Sequence, residues 1–232
     1  MPYSHPETAP TVADLFSLKG KTALVVGGAG LLGGEISHAF AELGAELFIA
    51  SRDIEKVKKY IGGIERRYPG AHGHAFAVDI TDRDSIKKLL ADVAATTGGS
   101  LDILVNSGWS GRKNSFESIS DDDWDYDIEV CLNGVFRTIK AAVPLLKQKR
   151  GNILTIASMY GHVAPDHRLY DGEKFVNPPS YGAASRSARW RWSTRAHARP
   201  RRAARRPTRG SCRSGASICW RCAGRITSWG SS

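Results

Sequence analysis

The sequence has no apolar run of 18 or more residues, and it has little cysteine: four in 232 residues, with only Cys131 before position 185. The first lack predicts that no segment spans a membrane as a helix. The second excludes a disulfide framework and a cysteine-based zinc site from residues 1–184. Residues 1–17 lack the basic start and apolar stretch of a secretory leader, so we expect a cytoplasmic protein.

Lysine, aspartate and glutamate are absent from residues 185–232, which contain 13 arginines. Without this tail the net charge of +10 becomes −3, from 20 basic and 23 acidic residues. The tail lacks apolar residues at strand or helix spacing, so we expect it to be disordered. Its bias toward arginine, alanine, serine and tryptophan is typical of GC-rich codons read out of frame, and our hypothesis is a frameshift near residue 185. The alternative is a basic arm for nucleic acid, because clustered arginines neutralise phosphates.

Short apolar runs alternate with longer stretches of helical period in residues 18–184. The apolar runs predict five buried strands: Thr22–Val26, Glu46–Ala50, His74–Val78, Leu101–Val105 and Asn152–Ala157. The longer stretches predict helices: Leu32–Leu43, Ile54–Tyr68, Asp82–Thr96 and Asp122–Gln148. Strict alternation predicts a parallel sheet with helices on both faces. We therefore expect one Rossmann-like, doubly wound α/β domain over residues 18–184, with its ligand site at the carboxyl ends of the strands.

A glycine-rich segment, 27–34, links the first strand to the first long helix. Gly27, Gly30 and Gly33 allow a tight turn, a close approach of the backbone to a pyrophosphate, and close packing of the helix on the sheet. The N-terminus of the helix supplies unpaired N–H groups for phosphates. After the first strand of an alternating chain, this spacing indicates dinucleotide binding rather than a structural turn.

The second strand ends in Ser51-Arg52-Asp53. An arginine at this point can pair with a 2′-phosphate, which favours NADP over NAD. The alternative is that Arg52 is a solvated residue at a helix start and that Asp53 caps the helix. Asp53 also keeps NAD open as the cofactor.

Together these features resemble the short-chain dehydrogenase/reductase family over about residues 18–184. The resemblance also rests on the order and spacing of five further motifs: Val78-Asp79-Ile80-Thr81, Leu104-Val105-Asn106-Ser107-Gly108, Val130-Cys131-Leu132-Asn133-Gly134-Val135-Phe136, Ile156-Ala157-Ser158 and Ser180-Tyr181-Gly182-Ala183-Ala184.

The resemblance implies an oxidoreductase that transfers a hydride between a nicotinamide cofactor and a carbonyl compound or secondary alcohol. It assigns the cofactor to the glycine loop and to these residues: Leu32, Ser51, Arg52, Asp79, Ile80 and Asn106. It makes Ser158 the hydrogen-bond partner of the substrate oxygen and Tyr181 the group that donates or removes the proton. It also implies a homo-oligomer, a small-molecule substrate and no metal ion.

Three positions depart from the family pattern. Family members have a lysine four residues after the tyrosine, which assists proton transfer, whereas this chain has Ser185. A catalytically impaired relative that still holds a dinucleotide therefore stays open as the alternative. The family's asparagine in the long helix is replaced by Cys131. Trp109 occupies a glycine position, where it either shapes the substrate pocket or packs in the core.

A second tyrosine competes with Tyr181 for the catalytic role. Tyr170 lies 12 residues after Ser158 and has Lys174 four residues further on. However, Asp171-Gly172-Glu173 favours a turn, whereas Gly182-Ala183-Ala184 favours a closely packed helix. We therefore predict that Tyr181 is the catalytic tyrosine.

Overall fold

The computed structural model describes residues 9–111, 115–163 and 179–187, which all belong to one compact unit. Its strands are β1 Thr22–Val26, β2 Glu46–Ser51, β3 Gly73–Ala77, β4 Ile103–Asn106 and β5 Asn152–Thr155. Its α-helices are α1 Val12–Phe16, α2 Leu31–Glu42, α3 Ile54–Arg67, α4 Arg83–Thr97, α5 Asp121–Ile128, α6 Val135–Lys149 and α7 Pro179–Ser187. A π-helical segment, Glu129–Gly134, joins α5 to α6, and a 3₁₀ turn, Met159–Gly161, follows β5.

Some of the predicted features lie outside the described residues. Tyr170 and residues 188–232 are among them, so the competing tyrosine and the frameshift in the tail stay predictions. Within the described ranges, no helix combines the length and the apolar character needed to cross a bilayer.

The five strands form one parallel sheet in the order β3-β2-β1-β4-β5. Thr22 of β1 pairs with Glu46 of β2, and Ala23 of β1 pairs with Ile103 of β4. The chain therefore runs outward from β1 to β3, returns across the sheet, and runs outward again from β4 to β5. This doubly wound order confirms the predicted fold class. The strand order reverses between β1 and β4, where folds of this type bind their ligands.

Side chains of the central strands alternate between two hydrophobic cores, because successive residues of a strand point to opposite faces. Leu24 and Phe48 pack on the face covered by α4 and α6, and Ala23 and Leu47 pack on the face covered by α2 and α3. All four are fully buried. Burial of a leucine or phenylalanine contributes about 1.5–3 kcal/mol each, so this double burial accounts for the unbroken apolar runs in β1 and β2.

The prediction of five buried strands is wrong for the two outer ones. No residue of β3 is fully buried, and Asn152 and Leu154 of β5 are exposed. Both strands lie at the ends of the described sheet, with a paired strand on one side only. Their apolar residues predicted strand correctly, but burial depends on position in the sheet, which an apolar run does not reveal.

The stretch predicted as one helix over Asp122–Gln148 is divided by the π-helical segment. Ser120 caps α5, because its Oγ accepts a hydrogen bond from the N–H of Asp123 at 3.1 Å. At Gly134, the last residue of the π-helical segment, a Cβ would come within 2.8 Å of the carbonyl oxygen of Ile80. This close contact with the loop after β3 depends on tertiary packing, so residue periodicity alone does not predict it.

Helix α7 packs against the turn Met159–Gly161, against α5 and against the π-helical segment. A Cβ on Gly182 would lie 3.3 Å from the carbonyl oxygen of Tyr160, and Ala184 is buried. The small residues of α7 therefore permit a close approach to the turn that follows Ser158.

Candidate functional site

A cleft of about 210 Å³ opens where β1, β2, β3 and β4 end. Most of the residues that line it follow these strands, and Val130 of the π-helical segment joins them. Six residues predicted to bind the cofactor line this cleft: Gly27, Gly30, Ser51, Arg52, Asp79 and Ile80. The structure thus brings these residues together at the edge where doubly wound sheets bind ligands.

Three other predicted cofactor residues do not line the cleft. Gly33 supports the glycine turn, because a Cβ there would collide with the carbonyl oxygen of Gly27. Asn106 is buried at the end of β4, and its Nδ2 has no hydrogen-bond partner among the described residues. Leu32 lies in the first turn of α2 and is 58% exposed. Gly33 and Asn106 therefore belong to the frame of the cleft rather than to its surface.

The glycine turn is shaped by a positive backbone angle and by a close approach. Gly27 has φ +81°, and a Cβ there would lie 2.7 Å from the amide nitrogen of Gly108. The N–H of Gly27 donates to the carbonyl oxygen of Ala50 at 2.7 Å. Gly30 is the N-cap of α2 and carries no capping side chain, so the positive end of this helix is open to an anion.

Two cationic side chains line the cleft beside β2. Arg52 follows β2 directly and Lys56 lies one helical turn later in α3. The carboxylate of Asp53 caps α3, where its Oδ1 accepts a hydrogen bond from the N–H of Lys56 at 3.0 Å. Arg52 donates from Nη1 to the hydroxyl of Tyr126 at 3.1 Å. Positive charge therefore faces this end of the cleft, and the Asp53 carboxylate is used in the cap.

Asp79 holds the loop after β3 in a tight turn. Its Oδ1 accepts hydrogen bonds from the N–H of Thr81 at 2.9 Å and from the Thr81 hydroxyl at 2.7 Å. Burial acts to raise the pKa of Asp79, but these hydrogen bonds and the charge of Arg52 outweigh it and hold the pKa below its ordinary value. The residue therefore stays ionised at neutral pH, and its negative charge lies in the same cleft as Arg52.

An ion pair connects the same loop to the π-helical segment. Arg137 donates from Nη1 to Glu129 and to the carbonyl oxygen of Thr81. Asn133 donates to the other carboxylate oxygen of Glu129 at 2.6 Å. The hydrogen bond from Arg137 is the main reason that the pKa of Glu129 is lowered. This network fixes the loop 79–81 against the helix behind it.

The residues predicted for proton transfer lie on neighbouring elements. Ser158 begins the turn Met159–Gly161, and its Oγ accepts a hydrogen bond from the N–H of Tyr160 at 3.1 Å. Tyr181 belongs to α7, which packs on that turn. Directly before Tyr181, the hydroxyl of Ser180 donates to the Asp127 carboxylate at 2.5 Å. The fold thus brings together two elements that are separated by 17 residues along the chain.

Cys131 and Trp109, two of the three departures from the family pattern, have different surroundings. Cys131 donates from Sγ to the carbonyl oxygen of Ser110 at 3.7 Å, and burial raises its pKa to about 11. It is therefore a thiol at neutral pH. Trp109 lines the cleft and is 55% exposed, so it shapes the cleft and does not pack in the core.

Sequence reasoning did not assign Lys56 or Ser110 to the site. Lys56 lies four residues after Arg52 at the start of a predicted helix, and this spacing was a usable indication that both face the same side. Ser110 reaches the cleft because the loop after β4 approaches Gly27. That approach joins segments about 80 residues apart, and no local pattern in the sequence indicates it.

Comparison with protein families shows a match between residues 21–172 and the family model for short chain dehydrogenase. A sorbose reductase from Schizosaccharomyces pombe is 31% identical over 155 residues, which cover 66% of this chain and 60% of the relative. A 3-oxoacyl-[acyl-carrier-protein] reductase from Salmonella typhimurium is 36% identical over 146 residues, which cover 62% of this chain and 57% of the relative. The chain therefore spans less than two thirds of the length of these curated relatives.

The fold itself is similar to that of solved structures. A short-chain type dehydrogenase/reductase from Mycobacterium marinum superimposes with a TM-score of 0.68 at 24% identity. The alignment covers 77% of this chain and 68% of that protein. At this identity the likeness concerns the fold alone.

Proposed function

Because the chain belongs to the short chain dehydrogenase family, we propose that its cleft binds NADP and that the protein interconverts a carbonyl compound and a secondary alcohol. The observation that carries this proposal is the convergence of the glycine turn, two cations and the loop 79–81 on one cleft at the strand ends. No single motif of the sequence supports dinucleotide binding as strongly, because a glycine turn alone is common in structural loops.

The glycine turn fits the phosphate groups of a dinucleotide. Gly27 has no side chain that would fill the cleft, and α2 begins directly after its N-cap residue Gly30, so the first N–H groups of the helix have no partner within the helix. Backbone N–H groups at a helix N-terminus attract phosphate through hydrogen bonds and partial positive charge. These residues would hold the pyrophosphate of NADP.

The surroundings of β2 support NADP over NAD. Arg52 and Lys56 both line the cleft, so two cations are available for a 2′-phosphate. Asp53, which would favour the ribose diol of NAD, caps α3. NAD remains the alternative cofactor, since a cap can be exchanged for a ligand at a cost of about 1 kcal/mol.

Ser158 and Tyr181 would carry out the proton transfer. In the reduced form the bound cofactor, NADPH, would supply a hydride, and in the oxidised form, NADP⁺, it would accept one. Ser158 would then hold the substrate oxygen by a hydrogen bond, and the Tyr181 hydroxyl would give a proton to that oxygen or remove one from it. A tyrosine ordinarily has a pKa near 10, so it acts as a base near neutral pH only with electrostatic help.

The residue at position 185 supports a second candidate function. Ser185 stands where the family pattern has lysine, so the cation that would assist Tyr181 is missing. A protein of this kind would bind the dinucleotide and turn over little substrate. Both candidate functions use the same cleft for the cofactor, and they differ only in the rate at which substrate is turned over.

One experiment on two chains separates these candidates. NADPH and NADH are titrated by fluorescence into the full chain and into its Ser185→Lys variant, and both are then given L-sorbose and a short 3-oxoacyl thioester as carbonyl substrates. Turnover by the unchanged chain supports the enzyme. Binding of NADPH by both chains, with turnover only by Ser185→Lys, supports the impaired relative. If neither chain binds NADPH, the proposed cofactor site is wrong.

The choice of tyrosine is tested in the Ser185→Lys chain. Tyr181→Phe is expected to abolish its turnover, and Tyr170→Phe is expected to leave most of it. The opposite ranking would transfer the proton-transfer role to Tyr170. Ser158→Ala is expected to lower kcat as well, because the substrate oxygen would lose its hydrogen bond.

The long helix supports an oligomer as part of the same proposal. Phe136 in the first turn of α6 is 61% exposed. An exposed phenylalanine on a surface helix suits a contact between copies of the chain. Sedimentation of the full chain and of its Phe136→Glu variant tests this. If Phe136 lies at the contact, the variant is expected to sediment as a species of lower molecular mass than the full chain.

A further inference from the structure

Asp127 and Ser180 form a buried contact between α5 and α7. Ser180 is 2% exposed and Asp127 is 1% exposed, and the Ser180 hydroxyl donates to Oδ2 of Asp127 at 2.5 Å. The two residues are 53 positions apart in the chain. A buried carboxylate is costly unless it accepts hydrogen bonds, so this contact compensates a charge that the fold places inside.

Through this contact, α5 connects the cleft to α7, the helix that carries Tyr181. Ser180 directly precedes Tyr181 in α7, and Asp127 directly follows Tyr126 in α5. The Tyr126 hydroxyl lies 3.3 Å from the hydroxyl of Ser110, which lines the cleft. Neighbouring residues of α5 therefore contact the cleft on one side and α7 on the other.

Small residues make two further contacts among the described side chains of α7. Gly182 approaches the carbonyl oxygen of Tyr160, and Ala184 is buried. Packing between small groups is non-directional, so it permits a helix to shift along its axis. A hydrogen bond to an ionised carboxylate is directional and is stronger than one between neutral groups.

We propose that Asp127 is a positioning residue, which holds α7, and with it Tyr181, at a fixed place relative to the cleft through Ser180. The inference rests on the proposed function only where it concerns proton transfer by Tyr181. Proton transfer requires reacting groups within hydrogen-bond reach, and a small displacement of the acid or base has a large effect on rate.

Hydrogen exchange in the full chain tests the anchor without any need for turnover. Ser180→Ala is expected to accelerate amide exchange in residues 180–187 at least about tenfold, as expected when a buried hydrogen bond is lost. Ser180→Thr keeps a hydroxyl and is expected to restore slow exchange. The matched control is Thr138→Val, which removes a buried hydroxyl of α6 that donates to the carbonyl oxygen of Gly134, the last residue of the π-helical segment, at 2.8 Å.

Substitutions of Asp127 test the same contact from its other side. Asp127→Ala is expected to accelerate exchange in α7, and the double variant with Ser180→Ala should exchange no faster than either single variant. If Asp127→Ala does not fold, Asp127→Asn keeps an acceptor of similar shape and gives an intermediate rate. Exchange in α7 that is unchanged in Ser180→Ala, or changed equally in Thr138→Val, would overturn the proposal.

Kinetics in the Ser185→Lys chain separates positioning from simple stability. With Ser180→Ala added, kcat is expected to fall at least about tenfold while the KM for NADPH stays within about twofold, because the cleft itself is unchanged. Equal losses in kcat and NADPH binding would mean a general structural role and would overturn the positioning role. If the Ser185→Lys chain neither binds NADPH nor turns over, the proposed function fails, and the exchange rates alone decide whether Asp127 anchors α7.

Discussion

The amide nitrogen of Gly108 lies 2.7 Å from the place that a Cβ on Gly27 would occupy. Gly27 also has φ +81°, in the region where a side chain is strained. We expect Gly27→Ala to lower the free energy of unfolding by about 2–4 kcal/mol, because strain and collision act together. Urea unfolding of the full chain measures this change.

Gly20→Ala is the matched control for that substitution. Gly20 has φ +72°, but beyond its two chain neighbours no atom lies within 4 Å of its ideal Cβ. Gly20→Ala should lower the free energy of unfolding only by the cost of the backbone conformation, about 1 kcal/mol. Equal decreases in the free energy of unfolding of the two variants would show that the close approach of Gly108 to Gly27 does not contribute to the effect of Gly27→Ala.

Arg52→Ala is expected to weaken NADPH binding about 10- to 100-fold and to leave NADH binding nearly unchanged. The reason is that only NADPH has a 2′-phosphate, and a hydrogen bond to a charged group contributes about 1.5–3 kcal/mol. Fluorescence titration with both cofactors measures the two affinities. Arg66→Ala, a change in the last turn of α3, serves as the control for altered net charge. A parallel loss of NADPH and NADH affinity in Arg52→Ala would contradict the assigned role.

The sequence predicts the strands, the order of elements and the glycine turn because these depend on local pattern. Gly27 and Arg52 were found because each follows a buried strand, and strand ends meet at one edge of a parallel sheet. The Asp127–Ser180 contact was not predictable in this way, because it joins residues 53 positions apart and has no characteristic spacing. The exposure of Leu154 in β5 depends on the place of its strand in the sheet, which the apolar run does not encode.

Glu129→Gln is expected to lower the free energy of unfolding at pH 7 by about 1–2 kcal/mol, because Glu129 accepts a hydrogen bond from the charged Arg137. The pKa of Glu129 in the folded chain lies below the ordinary value of 4.5. Its stabilising effect is therefore present above pH 4.5 and is lost as the pH falls through the folded-state pKa. Urea unfolding between pH 7 and pH 3 should show the two chains converging at low pH.

The control for this pH dependence is Asp84→Asn. Asp84 forms an ion pair with Lys87, but both side chains are largely exposed to solvent. Exposed ion pairs contribute little to stability, so we expect little change at any pH. A difference between Glu129→Gln and the unchanged chain that does not vary with pH would mean that the charge of Glu129 is not the source of its effect.

Cys131 is expected to resist thiol reagents in the folded chain. Its pKa of about 11 lies two units above the ordinary value of 9.0, so the reactive thiolate is about a hundredfold scarcer at pH 8. The measurement uses a chain in which Cys212, Cys219 and Cys222 are changed to serine, labelled with Ellman's reagent with and without urea. Rapid labelling without urea would contradict the raised pKa of Cys131.

The π-helical segment Glu129–Gly134 holds one residue more per turn than the α-helices on either side of it. A gene that lost one codon within this segment would encode a plain α-helix there, and the shorter turn would leave α5 and α6 at nearly the same rotation relative to each other. Gly134 would still meet Ile80, and Asp127 would still meet Ser180. A one-residue deletion inside α6 would instead turn the residues on one side of it by about 100° against those on the other side.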